Sequence, residues 1–317
     1  MNENVTLAEF FEQYYLDQCA ELDDKTIHSR TRLMQKYVFP LFGHEKVRDM
    51  DADFINRLRE SLSRTQLSDS GIYQIFTVIR GVLKLAVSMG LISQFQYPLY
   101  TKRFPNSPDH VRGPSRSSTP HCFTWDEMAR IEMAFGNTSL DWMHRLALLA
   151  GLKRDELFGL KASDYDHEKK CLSIRTVMKI HEKGRTPIEF IALPSENPRN
   201  RTIPLGPKAQ QAVEAAIEEA LNREPEECDP YLFRRENGGC YLGPYLREYS
   251  YDIRRKSGVN EFSLRNLRET FMVFCFLEGW STAEVRHYVG ITSPQNVLPY
   301  QRLAADTANA FTRDGRR

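Results

Sequence analysis

Leu146-Ala-Leu-Leu-Ala-Gly-Leu-Lys-Arg-Asp-Glu-Leu-Phe-Gly-Leu160 is the stretch on which the reading of the fold turns. Its apolar residues continue a helical pattern over 140–150, and a second one runs over 154–160. Gly151, Leu152 and Lys153 stand between the two. Upstream, Thr124 with Glu127 three residues on has the layout of a capping box and predicts a helix over 124–135. Downstream, Cys171-Leu-Ser-Ile-Arg-Thr-Val177, Ile188-Glu-Phe-Ile-Ala-Leu193 and Arg201-Thr-Ile-Pro-Leu205 read as short strands. Helical periodicity returns over 208–221, 245–256, 264–279 and 282–289, then fades towards a tail of small residues.

Residues 5–95 carry no strand-like alternation. Thr6 and Glu9 form another capping-box pattern ahead of Leu7, Phe10, Phe11 and Tyr14 on one face. A second helix is expected over 25–39, stopping near Pro40 and Gly43. A third starts at Asp51, and a fourth runs from the Ser68-Asp69-Ser70 cluster to Gly90. Residues 96–122 hold five prolines and a mildly basic run, the composition of an extended linker. The fold class is thus mainly α with a small antiparallel sheet. The expected domains are a helical bundle at 1–95, a linker at 96–122 and a mixed α/β domain at 123–317.

Composition bounds the function only loosely. Of 317 residues 41% are hydrophobic and 27% charged, enough apolar material for two cores. The 43 Lys and Arg against 42 Asp and Glu leave a formal charge of +1, which excludes a polybasic chain but allows a local basic surface. The six cysteines lie scattered without a Cys-x-x-Cys pair, so neither a zinc site nor a disulfide framework is expected. No uninterrupted apolar run approaches the length of a membrane span, and the N-terminus lacks the layout of a signal peptide. A cytoplasmic protein is the expectation.

The order of segments from residue 146 onwards resembles the tyrosine recombinase (phage integrase) family. The 146–160 stretch looks like that family's first catalytic box, followed by Asp164-Tyr-Asp166 where a helix–strand corner falls. Pro194-Ser-Glu-Asn-Pro-Arg-Asn-Arg-Thr-Ile-Pro-Leu205 looks like its lysine-bearing hairpin, and Leu264-Arg-Asn-Leu-Arg-Glu-Thr-Phe271 like its His-x-x-Arg box. Tyr288-Val-Gly-Ile291 and then Tyr300, 32 positions after Arg268, look like the end of the catalytic domain. The N-terminal bundle resembles the family's core-binding domain. The resemblance covers about residues 5–305 and implies a protein that breaks and rejoins duplex DNA without metal or cofactor. In such a protein a tyrosine attacks the scissile phosphate, while cations and hydrogen-bond donors meet the charge that develops on it.

Carried over residue by residue, the resemblance puts Tyr300 at the nucleophile and Arg268 at the second arginine. The first-arginine position holds Lys153, the hairpin lysine Ser195, the first histidine Arg265 and the second histidine Ile291. Arg154 is a full ~100° further round a helix and is no simple substitute for the first arginine. Glu269 brings an acid beside the phosphate site, and Lys179 or Lys183 are candidates to replace the missing lysine. Lysine keeps a charge but loses the planar grip of arginine, serine is no cationic acid, and isoleucine donates nothing. Tyr300, Arg268, Arg265 and Lys153 are therefore the candidate catalytic set of an impaired site.

DNA contact is expected along two helices of the bundle, through Lys25, Arg30 and Arg32, and through Tyr73, Gln74, Thr77, Arg80 and Lys84. Double-stranded DNA is the implied partner, clamped between the bundle and the second domain. The tail 301–317, with Leu303, Ala304, Ala305, Ala308, Ala310 and Phe311, is expected to dock on a neighbouring copy in a homo-oligomer, as the family resemblance implies. Three functions stay open: a catalytically impaired DNA-binding homologue, a divergent recombinase acting through Tyr300, and a helical protein-interaction module without DNA.

Overall fold

Thr6 opens the first helix as its sequence requires: its hydroxyl accepts the Glu9 amide at 3.3 Å, and the Glu9 carboxylate accepts the Thr6 amide at 2.9 Å. The computed structural model describes residues 4–19, 24–94, 96–101, 104, 120–180 and 188–313. These divide into two compact units, 4–104 and 120–313.

In the first unit, α1 (7–18), α2 (24–42), α3 (Ala52–Ser63) and α4 (Asp69–Ser88) form an all-helical bundle. Asp51 Oδ1 caps α3 by accepting the amides of Asp53 and Phe54 at 2.8 and 2.9 Å, and Ser68 Oγ caps α4 at Gly71. Phe10, Phe54, Phe76 and Ile79 lie fully inside. α2 does not stop at Pro40 but runs to Phe42. Its residues Met34–Val38 form a wide turn, and the helix restarts with Pro40 in its first turn, where the missing amide leaves no helical bond broken. By length and composition alone α4 could cross a bilayer, yet seven of its residues are buried in the bundle. A short helix, α5 (Tyr97–Thr101), and Phe104, packed on Phe76 at 5.6 Å, occupy part of the span expected as linker. The rest of that linker, 102–103 and 105–119, lies outside the described residues.

The second unit begins with α6 (Trp125–Ala134), α7 (Ser139–Ala150) and α8 (Arg154–Gly159), the first held by the expected Thr124–Glu127 capping box. Strands β1 (Tyr165–Asp166), β2 (Cys171–Ile174) and β5 (Arg201–Pro204) pair antiparallel in that order, with Leu172 opposite both Tyr165 and Ile203. β3 (Thr176–Ile180) and β4 (Ile188–Ala192) form a separate antiparallel pair. The single strand expected over 171–177 is therefore two strands in two sheets. Arg175 divides them, its Nε donating to Asp164 Oδ1 at 2.9 Å while its carbonyl accepts the Leu193 amide.

Helices α9 (Pro207–Arg223), α10 (Gly243–Ser257), α11 (Leu264–Leu277) and α12 (Thr282–Val289) then close the core. The tail expected to lose helical character instead forms α13 (Leu298–Arg313), which packs on α11 with Ala304 buried. Its alanines weaken the apolar stripe while being the strongest helix formers, so periodicity fades where propensity does not.

Candidate active site

Two helix ends build the floor of the site. α7 closes on Gly151 in the left-handed region (φ 61°), where an added Cβ would stand 2.4 Å from the Phe271 ring. α12 closes likewise on Gly290 (φ 66°), where a Cβ would meet the Arg201 guanidinium at 2.6 Å. Arg268, from the second turn of α11, bridges these ends: Nη1 donates to the Gly151 carbonyl and Nη2 to the Val289 carbonyl at 2.8 Å. The side chain is buried, and burial, only partly offset by Glu156, pushes its pKa down to about 10, so it stays cationic at neutral pH.

Glu156 is the counter-charge. It is fully buried, and its carboxylate accepts Arg201 Nη1 and Nη2 at 3.2 Å each, Arg199 Nε at 3.1 Å and the Lys153 amide at 3.0 Å. Arg268 Nη1 lies 3.8 Å from it. Burial alone would raise its pKa; the charge and hydrogen bonds of Arg201, with Arg268 behind, win and hold it at about 2. Arg201 also donates Nε to the Tyr288 carbonyl at 2.7 Å, and Arg199 reaches Asp155 at 2.7 Å.

Above this floor opens a cleft of about 1140 Å³ within the second unit. Lys153, Arg154, Arg265, Arg268, Glu269 and Tyr300 all line it, so the four residues proposed from sequence as a catalytic set meet in one space. Lys153 is half-buried with no side-chain partner among the described residues; burial, then the charges of Arg268 and Arg199, pull its pKa below the usual lysine range. Arg265 Nε donates to Glu269 Oε1 at 2.7 Å, which raises its own pKa further. Tyr300 donates its hydroxyl to the same oxygen at 3.4 Å. Burial and the Glu269 charge push the Tyr300 pKa up to about 12 against the pull of Arg265 and Arg268.

The positions where this chain departs from the family pattern are equally plain. Ser195 is exposed and its hydroxyl turns to Glu196 at 3.3 Å. Ile291 lines the cleft and packs on the core. Lys179 sits on β3 opposite Glu189 and does not line the cleft, and Lys183 lies outside the described residues. Among the described residues no three His, Cys, Asp or Glu side chains gather as a metal cluster. Arg199 and Arg201 were not foreseen. The signal for Arg201 was a cation at an inward strand position, since Arg201, Ile203 and Leu205 alternate towards the core; Arg199, in the turn before the strand, carried no such signal.

In the first unit Tyr73, Thr77, Arg80 and Lys84 are spaced four, three and four residues apart and share one face of α4. Gln74, Arg80 and Lys84 are exposed, Tyr73 and Thr77 half-buried, and Arg80 lies over the Phe104 ring at 5.1 Å. On α2, Arg32 is exposed, whereas Arg30 turns inward to donate to the Tyr15 hydroxyl at 3.1 Å. The Lys25 side chain lies outside the described residues, although its backbone belongs to α2.

Comparison with known proteins agrees with this layout. Residues 6–104 match the phage integrase SAM-like domain. A tyrosine recombinase XerC-like protein of Caldanaerobacter subterraneus subsp. tengcongensis is 26% identical over 212 residues, 59% of this chain and 53% of that relative, so the match spans about half the relative's length. The Tn1549 transposon integrase in complex with a circular intermediate DNA superposes with a TM-score of 0.75 at 15% identity, covering 93% of this chain and 94% of that one. A lambda integrase tetramer bound to a Holliday junction gives 0.64 at 15% identity, covering 95% and 78%. The chain is thus similar to tyrosine recombinases in its first unit and over part of its sequence, and it shares the fold of these integrases.

Proposed function

We propose that the chain binds duplex DNA as part of a site-specific recombination system and that strand cleavage at its own site is weakened. The observation that carries this is the cleft itself: Tyr300, Arg268, Arg265 and Lys153 line one space, while Ser195 is turned to solvent and Ile291 supplies no donor. Loss of a single preorganised donor costs on the order of 10²–10³ in rate, and a site lacking two, with lysine for arginine at a third, retains phosphate binding better than turnover. The exposed basic face of α4 and the DNA complexes of the transposon and lambda integrases support the same partner. The transposon integrase likeness further supports work on a mobile element.

The experiment is a DNA-binding titration at several salt concentrations, together with incubation on nicked suicide duplexes. The expected result is binding that weakens with salt and a slow covalent adduct that Tyr300→Phe abolishes. A flat salt response would favour the protein-interaction module instead. The second reading, a divergent but active recombinase, is favoured by the contact between the Tyr300 hydroxyl and a buried carboxylate, and fast adduct formation would establish it. Oligomerisation on DNA through the tail is part of the proposal. Removing 309–317 is expected to leave DNA binding intact and to lower the oligomeric state; unchanged oligomers would reject that role.

A further inference from the structure

Glu269 follows Arg268 on α11 and is 3% exposed. A carboxylate at that depth is stable only when its oxygens are met by donors, and here they are. Oε2 accepts the backbone amide of His121, 148 positions earlier in the chain, at 2.8 Å. Oε1 takes the Arg265 Nε at 2.7 Å and the Tyr300 hydroxyl at 3.4 Å. The hydroxyl has no other acceptor among the described residues. The charged and titratable groups around the carboxylate are Arg265 and Arg268 from its own helix and Tyr300 from α13. His121 presents its main chain from the segment before α6, and Lys153 lines the same cleft from the turn between α7 and α8.

We propose that Glu269 is the proton acceptor for Tyr300 in attack on a DNA phosphodiester, an inference that rests on the reading of Tyr300 as a nucleophile. As the Tyr300 oxygen forms its bond to phosphorus, its proton passes to Glu269 Oε1. The bond from phosphorus to the 5′ oxygen breaks, and the electron pair leaves with that oxygen, which takes a proton from water. The product is a 3′-phosphotyrosyl chain end and a free 5′ hydroxyl. A base is required here because the phenol is a weak acid: with a pKa of about 12, on the order of one part in 10⁵ is ionised at pH 7. A positioned general base contributes about 10²–10⁴ in rate, and a long hydrogen bond in the unbound site tightens when substrate is seated. Arg265, paired to the same oxygen, offsets the repulsion between Glu269 and an incoming phosphate.

The geometry also admits the opposite role, in which Glu269 holds Tyr300 back and its charge keeps phosphate out. One experiment separates the two. The probe is a random-sequence pool of duplexes carrying a 5′-bridging phosphorothiolate, whose thiolate leaves without needing a proton and so isolates the nucleophile's side of the reaction. Rates of covalent adduct formation are followed from pH 5 to 10 for the full chain, Glu269→Gln, Glu269→Asp and Tyr300→Phe. The expected result is a fall of about 10²-fold or more for Glu269→Gln at pH 7. Its rate then climbs about tenfold per pH unit as Tyr300 ionises by itself, narrowing the gap at alkaline pH. Glu269→Asp keeps the pH profile of the unaltered chain at an intermediate rate, a result that loss of folding cannot imitate. Tyr300→Phe gives no adduct. A Glu269→Gln rate equal to or above that of the unaltered chain at pH 7 overturns the proposal and makes Glu269 a brake. No adduct from the unaltered chain at any pH, with salt-dependent DNA binding intact, refutes Tyr300 as nucleophile and removes this inference with it.

Discussion

Replacing Glu156 by glutamine tests the electrostatic floor of the site. The substitution keeps the volume and removes the one charge that faces Arg201 on both oxygens at 3.2 Å and Arg199 at 3.1 Å. Arg201 and Arg268, both buried, are left without it. Breaking a buried pair from one side costs about 3–5 kcal/mol. The pKa gives a second route to the magnitude. A carboxyl held at about 2 in the folded protein against an ordinary 4.5 contributes about 3 kcal/mol above pH 4.5. The sign follows from proton binding: below pH 4.5 the unfolded chain takes up the proton first, so stability falls as pH drops from 4.5 towards 2. All three tryptophans, Trp125, Trp142 and Trp280, lie in the second unit, so their fluorescence reads its urea transition alone. With a slope of about 2 kcal/mol per molar urea, the midpoint should drop by about 1.5–2.5 M at pH 7. The difference between the unaltered chain and Glu156→Gln should shrink as pH falls from 4.5 to 3. A loss under about 1 kcal/mol at pH 7, or a difference that does not change with pH, refutes the reasoning.

Four further outcomes follow from the same structure. His144 is fully buried between Tyr249 and Phe262, and burial pulls its pKa down to about 4; stability should fall as pH drops from 6.5 to 4, and His144→Phe should flatten that part of the urea-midpoint profile. Arg80→Glu with Lys84→Glu should weaken DNA binding and reduce the slope of log affinity against log salt by about 1.8 if each cation meets one phosphate, with no change in bundle melting. Gly151→Ala combines a strained φ with a clash on Phe271 and should cost at least about 2 kcal/mol in the tryptophan-monitored urea transition. Lys153→Arg with Ser195→Lys and Ile291→His should raise adduct yield on nicked suicide duplexes; no gain would mean that the surrounding framework no longer aligns the phosphate.

Local signals in the chain were readable and long-range ones were not. The capping boxes at Thr6–Glu9 and Thr124–Glu127 and the helix Thr282–Val289 follow from residues three or four apart, and the structure has them where expected. The cleft lining was legible through the resemblance, whose segments put Lys153 just ahead of α8, Arg265 and Arg268 on α11 and Tyr300 beyond α12. What holds those side chains was not: Arg201 meets Glu156 from 45 positions away and His121 meets Glu269 from 148. Such pairings depend on which strand end abuts which helix start, and no local periodicity encodes that. The split at Arg175 was hidden for a related reason. Alternating residues on either side suit a strand, and only the pull of Asp164 shows where one sheet ends and the other begins.

Arg268 spends two of its donors on carbonyls at the ends of α7 and α12, and so works as a tie-beam as well as a charge. Lys153, Ser195 and Ile291 carry no such tension in their side chains. Side chains of the second kind can be exchanged with the scaffold standing, whereas dismissing Arg268 would let two helix termini come adrift.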